Sequence, residues 1–174
     1  MTKLLVKAAV LATFVTCGSV AHANDVAGYA EIAYGQINYE ESGYKFTPGM
    51  GRLIVGGAVN DNLALEVMGA LGMGKSTSGI VSLEINNAFG LYARPFLKLN
   101  DTFEVFGRVG YFRGSITASA STISISDSGS DLSYGIGAGV KVAEKISIVA
   151  DYMTYYDKNS IKINGWTVGA KIGF

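Results

Sequence analysis

Residues 69–76 read GALGMGKS, which satisfies the G-x-x-x-x-G-K-[ST] pattern of the phosphate-binding loop in many ATP- and GTP-binding proteins. Such a loop needs a buried strand before it and a helix after it, because the helix N-terminus helps to hold the phosphates. The residues after Ser76, TSGIVSLEINNAFGLY, alternate as in a strand and contain no helical stripe. We therefore predict a surface loop over residues 72–79 whose composition matches the nucleotide-binding pattern by chance.

The N-terminus has the features of a secretory signal peptide, which also argues against ATP as a substrate. Lys3 and Lys7 form a positive region, an apolar stretch follows, and Ala21-His22-Ala23 is a small-x-small cleavage site. We predict a signal peptide over residues 1–23 and a single mature domain over residues 24–174. An N-terminal anchor helix is the alternative, although the apolar stretch is short for a membrane span.

Cleavage after Ala23 removes the only cysteine and the only histidine, Cys17 and His22. Without Lys3 and Lys7, 12 basic and 14 acidic residues remain, so the formal net charge is −2 and no nucleic-acid partner is expected. Disulfides, thiolate or imidazole metal sites and Ser-His-Asp or Cys-His catalysis are excluded. We therefore predict neither an enzyme nor a bound cofactor.

Apolar residues recur at every second position along most of the mature chain. In the C-terminal segment, one face carries Trp166, Val168, Ala170, Ile172 and Phe174. Seven further segments alternate in the same way, at residues 29–35, 52–59, 65–71, 81–92, 103–111, 133–141 and 146–152. In the 81–92 segment, this pattern places Leu83 and Ile85 on the same apolar face as Phe89. A period of two predicts eight strands, each with one apolar face.

The connections between these strands alternate in length. Short connections lie near residues 60–62, 100–101 and 143–145, and longer ones cover residues 40–49, 72–79, 114–131 and 157–163. Each segment has about ten residues, the length that a tilted strand needs to cross a bilayer. The sequence therefore predicts an all-β fold, an eight-stranded antiparallel up-and-down transmembrane β-barrel.

A soluble β-barrel or sandwich is the alternative to a membrane barrel. Its strands would alternate too, but the polar face would meet water and be rich in lysine and glutamate. Here the polar face of each strand carries clustered glycines and only one or two charges. Small residues and isolated charges suit the crowded interior of a small barrel, which favours the membrane barrel with lipid against the apolar face.

The residues predicted to face the barrel interior include five acids and five bases. They are Glu31, Arg52, Glu66, Glu84, Arg94, Glu104, Arg108, Lys141, Asp151 and Lys171. An eight-stranded barrel leaves an interior just wide enough for side chains, and buried ions are costly unless they are paired. We predict a closed, ion-paired interior and no general porin channel. For Arg94 and Lys141, a solvated position at the barrel rim is the alternative.

The apolar faces also carry aromatic residues, which we expect to form girdles at the membrane interfaces. They are Tyr34, Phe89, Phe103, Tyr111, Tyr134, Tyr152 and Trp166. The general preference of aromatic residues for strands is an alternative explanation.

Several segments together resemble the OmpA-like/OmpX/opacity-type family of eight-stranded outer-membrane barrels. They are the signal peptide, LNDTFEVFGRVGYFRG at 99–114, DLSYGIGAGVKV at 131–142 and the terminal WTVGAKIGF. The resemblance implies a Gram-negative outer-membrane location, contact with outer-membrane lipids, and surface loops used for adhesion, serum or complement resistance, or envelope integrity. It also implies insertion by the barrel-assembly machinery through a C-terminal signal formed by Trp166, Val168, Ala170, Ile172 and Phe174.

We expect a monomer whose function lies in its external loops, where a host or cell-surface ligand would bind. The longest loop, residues 114–131, carries Ile116, Ile123 and Ile125 among serines and threonines. This pattern suggests strands that extend beyond the membrane and offer a β-edge to partners. A disordered polar tip is the alternative for this loop. A narrow small-solute porin or channel is the alternative function.

Overall fold

The computed structural model describes residues 28–41, 44–78, 80–120, 123–158 and 160–174. These residues form ten strands: β1 Gly28–Glu41, β2 Tyr44–Phe46, β3 Gly49–Asn60, β4 Leu63–Gly72, β5 Lys75–Ser78, β6 Val81–Lys98, β7 Phe103–Ala120, β8 Ile123–Ala143, β9 Ile146–Lys158 and β10 Ile161–Gly173. Within these ranges, the chain forms no helix of the length and apolarity that a membrane crossing requires. The predicted signal peptide and its cleavage site after Ala23 lie outside the described residues and stay predictions.

Eight of the strands close into a ring. The strands β1, β3, β4, β6, β7, β8, β9 and β10 each pair antiparallel with their neighbours, and β10 pairs with β1. The closing register runs from Tyr29 opposite Gly173 to Glu41 opposite Ile161. The predicted eight-stranded up-and-down barrel is therefore confirmed, and closure removes the unpaired edges of an open sheet. The short strands β2 and β5 lie beside the ring and pair with β1 and β6.

The outer wall of the ring is apolar. All seven aromatic residues predicted to face outward are about half exposed, from 46% for Trp166 to 58% for Tyr111. Ile136 and Leu91 of the same wall are 74% and 63% exposed. So much exposed apolar surface is unstable in water, but it is the surface that a bilayer requires.

A one-residue irregularity in β6 changes which side chains face inward. The β6–β7 register shifts between Ile85 and Asn87. Because side chains alternate along a strand, one extra residue inverts the faces beyond it. Leu83 and Ile85 are buried inside the barrel, so the sequence-based placement of these two residues with outward-facing Phe89 is wrong.

The β7–β8 hairpin extends well past its neighbour β9. Its pairing continues from Phe103 opposite Val140 to Ala120 opposite Ile123. The pairing of β8 with β9 begins only at Tyr134. Residues 114–120 and 123–131 therefore lie in extended strands, as the Ile/Ser/Thr pattern predicted, and the residues between them lie outside the described part of the chain. Residues 123–133 of β8 have a ladder with β7 but none with β9 in the described part of the chain.

Candidate functional site

Buried charged side chains fill one section of the barrel interior, with Arg108 of β7 at their centre. Its Nη2 donates to Glu31 Oε2 at 2.6 Å, its Nε donates to Glu66 Oε2 at 2.7 Å, and it also pairs with Asp151. All four side chains are at most 1% exposed. A single guanidinium group therefore ties together β1, β4, β7 and β9.

Arg52 of β3 connects the same carboxylates from the other side. Its Nη2 donates to Glu31 Oε1 at 2.8 Å and to Asp151 Oδ2 at 2.5 Å, and its Nη1 donates to the Tyr155 hydroxyl at 3.2 Å. The Thr167 hydroxyl donates to Asp151 Oδ1 at 2.7 Å. Glu31 and Asp151 each bridge two arginines, so the cost of burying these charges is offset by ionic hydrogen bonds.

Arg94 of β6 links this group to a second cluster nearer to solvent. Its Nη2 donates to Glu104 Oε1 at 2.8 Å, and its Nε lies 3.5 Å from Glu66 Oε1. Lys171 of β10 pairs with the same Glu104. The side chains of Glu104 and Lys171 are 15% and 14% exposed, whereas Arg94 is 2% exposed. Arg94 thus lies in the interior and not at the rim.

Eight of the ten predicted interior charges therefore meet in one network, which we call the charged layer. Its members are Glu31, Glu66, Glu104, Asp151, Arg52, Arg94, Arg108 and Lys171. Four acids and four bases give it a formal net charge of zero. They come from seven of the eight ring strands, so the layer cross-links the barrel from within.

Two of the predicted interior charges lie elsewhere. Glu84 lies just before the β6 irregularity and faces away from buried Leu83 and Ile85, and its carboxylate lies 3.2 Å from the Lys75 ammonium group of β5. Lys141 is exposed near the end of β8, where its backbone N–H donates to the Thr102 carbonyl. The prediction that Glu84 and Lys141 lie in the interior is wrong. It assigned each side chain to a face by strict alternation, which we call parity. This method assumes that the strand has no irregularity and that all of its residues lie within the height of the barrel.

An aromatic ring supports the arginines of the charged layer. The guanidinium carbons of Arg94 and Arg108 lie 4.0 Å and 4.7 Å from the centre of the buried Phe106 ring. Cation–π contacts of this kind contribute about 0.5 to 2 kcal/mol each. Because one ring contacts both guanidinium groups, the inward Phe106 helps to fix their positions.

Beyond the charged layer, toward the long loops, the barrel interior is apolar. Buried residues of one cluster there include Ile37, Met50, Ile85, Phe112 and Tyr155. They border a cavity of about 80 Å³ that opens to solvent. The ring centres of Phe112 and Tyr155 lie 5.2 Å apart at this cavity. Sequence reasoning missed the cavity, and the only available signal was the set of apolar residues at inward positions such as Met50 and Phe112.

The charges at the long-loop end of the barrel are arranged in pairs. Lysine ammonium groups lie within 4.0 Å of carboxylates in four pairs: Lys45–Glu40, Lys75–Glu84, Lys158–Asp131 and Lys162–Asp157. In the shortest pair, Lys158 donates to Asp131 at 2.6 Å and joins β9 to β8 where their ladder has ended. The Lys158 ammonium, together with the backbone N–H groups of Asp157 and Leu132, holds the pKa of the Asp131 carboxyl below its usual value.

The family of this chain follows from a sequence comparison. The model of the family described as "Outer membrane protein beta-barrel domain" matches residues 8–174. The chain belongs to this family. None of the curated proteins compared with the sequence matches it.

Solved structures similar to this outer-membrane barrel share its fold at low sequence identity. Ail, the attachment invasion locus protein of Yersinia pestis, in complex with the heparin analogue sucrose octasulfate, is 21% identical with a TM-score of 0.67, over 87% of this chain and 100% of that one. Neisserial surface protein A is 12% identical with a TM-score of 0.71, over 84% and 97%. OprG from Pseudomonas aeruginosa is 10% identical with a TM-score of 0.56, over 86% and 96%.

Family and fold together give the barrel its location and orientation. It lies in the outer membrane of a Gram-negative cell, with lipid around the apolar wall. Outer-membrane barrels have short periplasmic turns and long extracellular loops. The β7–β8 hairpin and the cavity therefore lie at the extracellular end, and the short turns before β4, β7 and β9 lie at the periplasmic end.

Proposed function

We propose that this barrel is a non-enzymatic surface-interaction protein, and that the extracellular part of β8 is its contact site for partners. The proposal rests on one observation: β8 continues past the end of its ladder with β9. Ser124, Ile125 and Ser126 are exposed on this part of the strand. An unpaired strand edge offers backbone N–H and C=O groups to an extended segment of another chain.

The composition of this edge supports the proposal. Natural proteins protect exposed edges with lysine, proline or very short strands. Residues 123–130, ISISDSGS, contain neither lysine nor proline, and Ile125 is 67% exposed. The edge is therefore open to pairing, and alternate side chains of β8 can contribute to specificity. Adhesion and host-defence resistance are the roles that such a contact would serve.

A polyanion is a poorer candidate for the partner than a protein strand. Ail was solved with a heparin analogue, and binding of a polysulfate requires unneutralised basic groups. In this barrel, each of four extracellular lysines already has a carboxylate within 4.0 Å. We therefore do not extend the Ail ligand to this chain.

Shortening the β7–β8 hairpin tests the proposal. Replacement of residues 116–127 by an Asn-Gly turn removes the free edge but leaves the charged layer and the membrane wall intact. Bacteria that display this variant are expected to adhere to epithelial cells or to survive serum at least about tenfold less well than bacteria with the full-length barrel. Envelope fractionation and the shift of the folded barrel on unboiled gels show that both forms are assembled.

A matched pair of charge variants separates the edge from the rest of the surface. Ser124→Lys/Ser126→Lys protects the β8 edge, and Thr77→Lys/Ser78→Lys adds the same charge on β5. Only the β8 variant should lose activity. Equal losses in the two variants, or full activity of the shortened hairpin, would contradict the proposal. A change only in sensitivity to detergent would point instead to envelope integrity as the function.

The alternative function, a small-solute channel, predicts a different result. The side chains of Arg52, Arg94 and Arg108 are at most 2% exposed, which supports a closed interior at the level of the charged layer. Purified barrel in planar bilayers at about 1 M KCl is expected to show no steady openings, since conducting porins need wider barrels. Defined and reproducible conductance steps would favour the channel and overturn the closed interior.

We further propose that β10 carries the assembly signal and that the barrel works as a monomer. Trp166, Val168, Ile172 and Phe174 of the C-terminal segment face outward and are about half exposed or more. This row of apolar side chains is accessible to the barrel-assembly machinery before β10 closes against β1. Closure of the ring then leaves no strand of the membrane wall that requires a second subunit.

A further inference from the structure

The cavity at the extracellular end is built differently from the rest of the barrel interior. Its floor is formed by Met50, Ala88, Phe112 and Tyr155, all at most 6% exposed. Interiors of outer-membrane barrels are usually polar. An apolar space that opens to solvent has the properties of a small-molecule site, because ligand pockets are lined mainly by apolar and aromatic groups.

The walls above this floor are also apolar. They are formed by Ile37, Ile85, Ile116, Ile161 and Ile163, which come from four different strands. These branched side chains make this part of the lining apolar, and the polar residues that also line the cavity include Ser128 and Asp127. Because most of the lining is apolar, a hydrocarbon chain or an aromatic ring suits the body of a ligand in this space.

The mouth of the cavity determines the charge of the ligand. Among the described residues that line it, Asp127 is the only charged one, and it is exposed. Tyr39 and Tyr156 also line the cavity, and the Tyr39 hydroxyl donates to the Glu41 carboxylate at 2.5 Å. Two carboxylates and two tyrosine rings near one opening form an environment that attracts a cation, through ionic contact and through the ring faces.

We propose that this cavity binds a small apolar monocation, with its ammonium group at Asp127 and its hydrocarbon part above Phe112 and Tyr155. This inference does not depend on the proposed role of the β8 edge, since the ligand lies inside the barrel and its binding needs no partner strand. Alkylamines and arylalkylamines are the chemical class that fits.

The isoleucines of the barrel provide a direct test. Barrel labelled with ¹³C in the isoleucine δ1 methyl groups, in phosphatidylcholine nanodiscs, is titrated with 2-phenylethylammonium chloride. Methyl signals of Ile37, Ile85 and Ile163 should shift and saturate, with half-saturation below about 1 mM. Methyl signals of Ile136 and Ile148, which face lipid and are 74% and 44% exposed, serve as the internal control and should not shift.

Uncharged and anionic analogues test the role of Asp127. The neutral 2-phenylethanol is expected to bind at least about fivefold more weakly, and phenylacetate more weakly still. Asp127→Asn should reduce the affinity for 2-phenylethylammonium to that for the alcohol, and this exposed substitution leaves the fold intact. Ala88→Leu, which fills the cavity floor, should abolish the saturable shifts.

Three results would overturn the inference. Shifts of equal size at the lipid-facing isoleucines would indicate that the compound partitions into the bilayer. Equal affinity for the cation and the alcohol, or unchanged binding by the Asp127→Asn variant, would show that the carboxylate does not recognise the ammonium group. Loss of adhesion in the shortened hairpin does not bear on these measurements, so the two proposals can fail separately.

Discussion

Arg108→Met is expected to lower the free energy of unfolding of the barrel by about 3 to 5 kcal/mol. Arg108 is the only side chain that contacts Glu31, Glu66 and Asp151 together among the described residues. Methionine fills a similar volume but leaves three buried carboxylates with fewer positive partners. The cost is mainly that of an uncompensated buried charge, since the layer changes from a net charge of zero to −1.

Urea unfolding of the barrel in short-chain phosphatidylcholine vesicles measures this effect. Trp166, the only tryptophan, lies on the lipid-facing wall and reports unfolding by its fluorescence. Arg113→Met is the matched control, because Arg113 is on the same strand and exposed. Exposed charges contribute at most about 1 kcal/mol. If the two variants unfolded at the same urea concentration, the charged layer would not stabilise the barrel.

A second substitution separates lost charge balance from lost packing. Glu31→Gln in the Arg108→Met background returns the net charge of the layer to zero and leaves Arg52 paired with Asp151 at 2.5 Å. The double variant should therefore be more stable than Arg108→Met alone, although Glu31→Gln by itself is expected to destabilise the barrel. This non-additivity is the signature of direct coupling between the two sites. Additive losses would mean that packing, and not charge, determines the effect.

The alternation of apolar residues was sufficient to predict the barrel, its strand number and most of the charged layer. One face of each ring strand meets lipid and the other meets the barrel interior. An odd or even position along the strand is then enough to assign each side chain to one of the two faces. Parity failed at Glu84 because the irregularity before Asn87 has no clear mark in the sequence, and it failed at Lys141 because alternation does not reveal where the barrel ends.

The cavity and the short strands could not be predicted for a different reason. Parity separates inside from outside, but it does not give the height of a residue along the barrel axis, which depends on strand tilt and stagger. Arg52 and Met50 are both inward and only two residues apart, yet one belongs to the charged layer and the other to the cavity floor. Strands as short as Tyr44–Phe46 and Lys75–Ser78 contain too few residues to show a period.

Gly110→Val is expected to prevent assembly of the barrel, whereas Gly69→Val should leave it folded. A Cβ atom at Gly110 would overlap the carbonyl oxygen of Leu91 and lie 2.8 Å from Tyr92 Cα on the neighbouring strand β6. Because these are backbone atoms, the overlap is relieved only if β6 and β7 move apart. This movement is expected to lower the free energy of unfolding by at least about 3 kcal/mol. A Cβ atom at Gly69 would meet no atom within 4 Å.

The position of Gly110 makes this clash more damaging than a local one. Gly110 lies between inward-facing Arg108 of the charged layer and Phe112 of the cavity floor, on the segment FGRVGYFRG that carries part of the family resemblance. Separation of β6 from β7 here would withdraw both side chains from their contacts at once. Refolding into vesicles, with the folded fraction read from unboiled gels, should give at least about tenfold less folded barrel for Gly110→Val than for Gly69→Val. Similar yields would show that the two strands have room for a side chain at this level, and that glycine is not required there to bring the two sites together.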